Sequence, residues 1–157
     1  MAAQQNSAPT YVGPADLLIL ADRPIGGLEV VQALRRLAAP IRAVQIIVPA
    51  RLPAAALVAL GDPCSGWIGF DATVLDSWRN AGQANGEARL RWLRWLLWEM
   101  GIRSTGSIVP IEDLPAALAK ASAAGVTTLL GLPPRAPFFR GHQRRLAQRV
   151  GLRFVPA

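Results

Sequence analysis

The chain has little of what most chemistry requires. Its 157 residues include one cysteine, Cys64, and one histidine, His142. A single cysteine cannot form an internal disulfide and has no companions for a thiolate metal cluster, which suits a reducing compartment. A lone histidine leaves a hydrolase triad no other base to build on, and no serine or cysteine nucleophile lies in a recognisable strand-elbow setting. Catalysis is therefore not expected, and neither is a metal site. Long apolar runs are also missing. The longest, "LLILA" and "VTTLLGL", are strand-sized and fall well short of the roughly 18 residues needed to span a membrane. The opening "MAAQQNSAPTYVGP" has neither the basic nor the apolar region of a secretory signal. Residues 1–14 read as a disordered lead, residues 15–157 as a single domain, and the setting as cytoplasmic. Acidic residues are absent beyond Asp113.

What is present is an apolar, basic chain. Hydrophobic residues make up 52% and charged residues 17%, too apolar a mixture for intrinsic disorder. The formal net charge is +7. Up to Asp113 ten acids are matched by ten arginines, so the whole excess lies in Lys120, Arg135, Arg140, Arg144, Arg145, Arg149 and Arg153. A basic segment of this kind is the electrostatic footprint expected of a polyanion binder, although a plain solvated surface has the same composition.

Short aliphatic runs alternate with helical patterns. "DLLILAD" from Asp16 reads as a strand, and "PIGGLEVVQALRRLAA" gives a helix through Leu28, Val31, Leu34 and Leu37. "RAVQIIVPA" is a second strand, stopped at Pro49 by the missing donor. Residues 51–86 look irregular, with a helical turn or two in "LPAAALVAL" and loop punctuation in "GDPCSGWIGFDAT". A helix from about Glu87 to Met100 ends at Gly101, suited to a left-handed cap. "STGSIVPI", "VTTLLGL" and "LRFVPA" supply three more strands. They are separated by the helix "EDLPAALAKASAAG", the loop "PPRAPFFRG" and the helix "HQRRLAQRVG". Parallel neighbours need crossovers, and helices provide them. The expected fold is doubly wound α/β, a five-stranded parallel sheet with helices on both faces. Such sheets bind ligands beyond the carboxyl ends of their strands, so the loops after "LLILAD" and "TTLLGL" are the places to look.

In this order, from about Asp16 to Ala157, the chain resembles the universal stress proteins. It is most similar to a small branch with "GG" after the first strand, here Gly26 and Gly27, and a proline pair after the fourth, here Pro133 and Pro134. The resemblance implies a Rossmann-like fold. For the ATP-binding members it also implies an Asp after the first strand, matched by Asp22. They further carry Gly, two residues, Gly, nine residues, then Gly with Ser or Thr. Gly131 can begin that pattern, but Pro134 stands where the second glycine belongs. Gly141 arrives three residues early and is followed by His142. Proline removes an N–H donor from a phosphate cradle, so ATP or another adenine nucleotide is expected to bind weakly if at all. Asp22 has a second reading as a turn or helix cap. Arg140, Arg144 and Arg145, with Arg135 before them, gather at a helix N-terminus. There the dipole disfavours each cation by roughly 0.3–1 kcal/mol, a conflict that a bound anion or simple extension into water would relieve.

The stretch "RLRWLRWLLWEM" places Leu90, Leu93, Leu96, Leu97 and Met100 on one helical arc. Arg91, Trp92, Arg94, Trp95 and Trp98 lie on or beside the opposite one. Five aliphatic residues already fill the stripe that a helix buries on a sheet, so the indoles need another cover. Either residues 61–86, with Trp67, Phe70 and Trp78, provide it, or another molecule does. Tryptophan and arginine dominate interface hot spots, which makes this an expected interaction face for a homodimer or another protein. The expected function is a non-catalytic binding or regulatory protein of universal stress protein type, sensing a nucleotide or another anionic metabolite. The alternative is a basic adaptor for nucleic acid or a ribonucleoprotein.

Overall fold

The computed structural model describes residues 12–23, 26–37, 39–51, 72–132 and 140–157. Cys64, Trp67, Phe70, Pro133, Pro134, Arg135 and the helical turn expected in "LPAAALVAL" lie outside them, as does most of the expected N-terminal lead. Five strands form one sheet: β1 (Leu17–Ala21), β2 (Ala43–Ala50), β3 (Arg103–Pro110), β4 (Thr128–Leu132) and β5 (Arg153–Pro156). Their order is β3-β2-β1-β4-β5, and every pairing is parallel. This is the sheet expected from the alternating pattern, including the short terminal strand. All five residues of β1 are buried, as a central strand covered on both faces must be.

Helices α1 (Gly27–Arg35) and α2 (Ala72–Glu99) cover one face, while α3 (Leu114–Ala123) and α4 (Arg140–Arg149) cover the other. Successive residues of β1 point to opposite sides, so Leu17 and Ile19 join the α1/α2 core with Val30, Leu34, Leu93 and Leu97. Leu18 and Leu20 join Leu118, Leu129, Leu146 and Ala147 on the other side. Each of α2, α3 and α4 is followed by a glycine with positive φ: Gly101 at 73°, Gly125 at 98° and Gly151 at 74°. The next residue's N–H reaches back into the helix, for example from Ile102 to Leu97 O at 2.8 Å, and satisfies carbonyls that would otherwise be orphaned.

Three local expectations are corrected. The core face of α1 is Val30, Ala33 and Leu34, with Leu37 packed beside them, and Leu28 stands 70% exposed. The set 30, 33, 34 and 37 is itself a helical stripe, displaced from the expected one. Strand β2 runs one residue past Pro49. Its pairing with β1 ends at Ile47, so Pro49 has a neighbour on one side only, where a missing donor is tolerated. The largest difference is α2, which begins at Ala72 rather than near Glu87 and runs for 28 residues, about 42 Å. Gly82 and Gly86 resemble loop punctuation but are buried, a turn apart, on the side facing the sheet. A Cβ on Gly82 would run into the backbone oxygen of Arg51, and one on Gly86 would come within 3.2 Å of Ile108 Cγ2. These glycines let the helix approach β2 and β3 closely.

Candidate functional site

Because β1 and β2 are adjacent and parallel, the first charged residues beyond them emerge side by side. Asp22 follows β1 and is 6% exposed. Arg51 follows β2 and closes on it as a fork, with Nε donating to Oδ1 and Nη2 to Oδ2. The Asp22 side chain is 3% exposed and that of Arg51 34%. A second arginine enters from α2: Arg89 Nη1 donates to Ala21 O at 3.2 Å and Nε to Asn85 O at 3.4 Å. The hydrogen bond with Asp22 raises the Arg51 pKa above its ordinary value, against the opposing effect of burial. Burial pushes Arg89 down, the Asp22 charge partly offsets this, and the Arg51 charge adds to the depression. One guanidinium thus pairs with the carboxylate and a second lies near enough to feel its charge, so the cluster keeps a net positive charge.

Beside the cluster, between the ends of β2 and β3 and the N-terminal half of α2, lies a cavity of about 420 Å³ lined by Arg51, Arg79, Gln83 and Glu112. Arg79 also lies 3.6 Å from Asp76, one turn earlier on α2. Its charged side chains are of both signs, and Ala50, Gly82 and Pro110 complete the lining. Among the described residues, no three His, Cys, Asp or Glu side chains gather as a metal site, and no helix is long and apolar enough to cross a membrane.

The strand order reverses between β1 and β4, and there the expected phosphate-binding residues have other surroundings. Gly131 lies inside β4, with the ring of Phe154 and Oε1 of Gln143 in the space a side chain would take. Gln143, on the first turn of α4, is 1% exposed; its Nε2 donates to Leu132 O at 3.3 Å, while its buried Oε1 has no partner among the described residues. Gly131 is therefore explained by packing. Arg140 opens α4, and Gly141, His142, Arg144 and Arg145 are exposed along its first turns. Arg144 and Arg145 thus stand exposed on consecutive positions near the start of α4, and Arg135 lies outside the described residues. The described partners of Asp22 come from β2 and α2, and none comes from α4.

On the outer side of α2, Arg91 is exposed and Arg94 half-buried. Trp92 lies against Gly27 at the start of α1 and packs on the core edge, so it belongs partly to the fold. Trp95 and Trp98 each remain 52% exposed. Residues 72–86, expected as a cover, continue the same helix and cannot fold back over it. The rest of the expected cover, residues 61–71, lies outside the described residues. A shallow groove of about 490 Å³ runs between Ala88, Arg91, Trp92 and Trp95.

Over its whole length this course of chain is similar to a known one. A crystal structure of a protein from the universal stress protein family of Burkholderia pseudomallei matches 99% of the chain and 98% of its own, at 14% identity and a TM-score of 0.44. No protein-family model and no curated protein matches the chain.

Sequence reading singled out Asp22 but missed Arg51, Arg89 and Gln143. A signal for Arg51 was available: it and Asp22 are each the first charged residue after neighbouring parallel strands. Arg89 and Gln143 have no such mark, since one arginine among several in a helix and one glutamine in a basic helix look like surface residues.

Proposed function

We propose that this chain is a non-catalytic, cytoplasmic binding protein of universal stress protein type that works through protein contacts made by the outer face of α2. The observation that carries this reading is the pair of half-exposed indoles, Trp95 and Trp98, next to Arg91 on a well-formed helix. Large aromatics beside arginine, left in water by their own fold, are the composition of interface centres. Capture experiments with the full chain as bait test it. Proteins retained by the native chain should be lost with Trp95→Glu and Trp98→Glu, and an unchanged set would end the reading.

Nucleotide sensing is the weaker half of the proposal. The residues expected to hold an adenine nucleotide do not fit one well, since Arg51 encloses the Asp22 carboxylate and Phe154 and Gln143 crowd Gly131. Calorimetry with ATP should give little or no heat at micromolar concentrations, and a low-micromolar affinity would refute this. A smaller anion is better matched to the α4 terminus. Replacing Arg144 and Arg145 by alanine should abolish such binding.

The adaptor reading draws on a separate observation, the exposure of Arg144, Arg145, Arg149 and Arg153 around α4 and β5. Binding of RNA through them would weaken steeply with added salt as counterions are released, and affinity that ignores salt would remove this alternative.

A further inference from the structure

The outer face of α2 has a pattern that its aromatic residues alone conceal. Ala81, Ala84, Ala88, Arg91, Trp95 and Trp98 are all exposed. They follow one another at alternating steps of three and four, the spacing of a coiled-coil seam. The inner stripe of the same helix, through Gly82, Gly86, Leu93 and Leu97, is already used by the sheet. An isolated helix on a domain surface has no need of a second seam. The groove between Ala88, Arg91, Trp92 and Trp95 has the i, i+3, i+4, i+7 outline of the socket into which a facing helix inserts a side chain.

The seam is graded in size, with alanines in its first half and large side chains in its second. We infer that it pairs with the same seam of a second copy, running antiparallel about a two-fold axis. In that register Ala81 faces Trp98 of the second copy, Ala84 faces its Trp95, and Ala88 faces its Arg91. Every layer then joins one small and one large side chain. A parallel pair would instead stack tryptophan on tryptophan at one end and leave gaps between alanines at the other. The antiparallel register also sets Glu87 opposite Arg94 of the second copy on the flank of the seam, a match of opposite charge that the two-fold axis repeats.

The area indicates how strong the pair is. An indole side chain buries roughly 150–250 Å² when fully covered, so four half-exposed ones remove about 400 Å² from water. The alanine and arginine surfaces bring the total to about 800–1,000 Å², below the roughly 1,200 Å² of stable complexes. The pair is therefore a weak dimer that forms and separates with concentration. This inference rests on the reading of α2 as a contact face and names the partner.

Sedimentation of the full chain across the micromolar range tests it. The mass should rise toward twice that of the chain with increasing concentration. Trp95→Glu should abolish the rise while leaving the circular dichroism spectrum and thermal midpoint in place, because Trp95 is half-exposed. Ala84→Trp should do the same, and the double variant Ala84→Trp with Trp95→Ala should regain the dimer by exchanging the sizes within a layer. In a Cys64→Ser background, Ala88→Cys mixed with Arg91→Cys should oxidise to a covalent dimer, whereas Ala81→Cys alone should not. Cross-linking by Ala81→Cys alone would mean parallel pairing and would overturn the inference. So would a dimer indifferent to Trp95, or a mass that never rises. If the mass never rises but captured proteins still depend on Trp95, the second copy alone is excluded. If neither depends on Trp95, the contact-face reading falls as well.

Discussion

Replacing Arg51 by alanine is expected to lower unfolding stability by about 3 kcal/mol, the lower end of the range of about 3–5 kcal/mol for breaking a buried ion pair. The reason is the carboxylate left behind. Asp22 is 3% exposed at its side chain, and both its oxygens are held by the Arg51 fork. Without the fork, a charge that cannot reach water has only the more distant Arg89 to balance it. The lower end applies because Arg51 itself is 34% exposed, and water screens part of the attraction. Replacing both partners, Asp22→Leu with Arg51→Met, should recover most of the loss, since removing a buried pair together costs little. Urea unfolding of the two single variants and the double variant measures this as a cycle, with a coupling of about 2 kcal/mol expected. A loss below about 0.5 kcal/mol for Arg51→Ala would show that Arg89 is the main partner of Asp22.

The second large effect concerns a glycine that helix propensity alone would replace. Glycine within a helix costs about 1 kcal/mol relative to alanine, so by propensity Gly82→Ala should stabilise the protein. The packing reverses the sign. The new methyl group would meet the backbone oxygen of Arg51, which cannot turn away as a side chain can, and the helix must lift from the sheet. A net loss of about 2–3 kcal/mol is expected, in the range of overpacked cores. Gly86→Ala provides the contrast. Its nearest neighbour is Ile108 Cγ2 at 3.2 Å, a side chain able to yield by a few tenths of an ångström, so that change should fall within about 1 kcal/mol of neutral. Equal effects at the two sites would show that α2 does not approach β2 as closely as described.

These two sites also show where sequence reading stops. The three inner strands were legible because a strand buried on both faces must be a short aliphatic run, as "LLILA" is, and the more exposed edge strands β3 and β5 because turn residues and helical patterns bound them. Parallel pairing followed from the helices between them. The first half of α2 was not legible, because Gly82 and Gly86 carry the same letters whether they bend a loop or admit a neighbouring strand. Only the opposing backbone distinguishes the two. Asp22 was legible as a residue but not as half of a pair, because its partner lies 29 positions away, just past another strand. Arg89 reaches the β1 end from 68 positions away. The outer face of α2 was half legible: its tryptophans and Ala88 were visible on a helix, but Ala81 and Ala84 belonged to a stretch that looked irregular.

The strand order has a consequence for the order of assembly. By the time Pro110 has been made, β1, β2 and β3 can pair and α1 and α2 can close the core on their side. The reverse side of that half-sheet is still bare. Leu18, Leu20 and Ile47 wait for Leu118, Leu129 and Leu146, which come later in synthesis. Leu18 meets its sheet neighbour Leu129 only after more than one hundred intervening residues have been added. Ends so far apart close slowly, and until they do the growing chain presents a wide apolar surface, the kind of intermediate that aggregates or engages chaperones. Shielding a nascent chain that ends near Pro110 matters more for this topology than shielding a finished one.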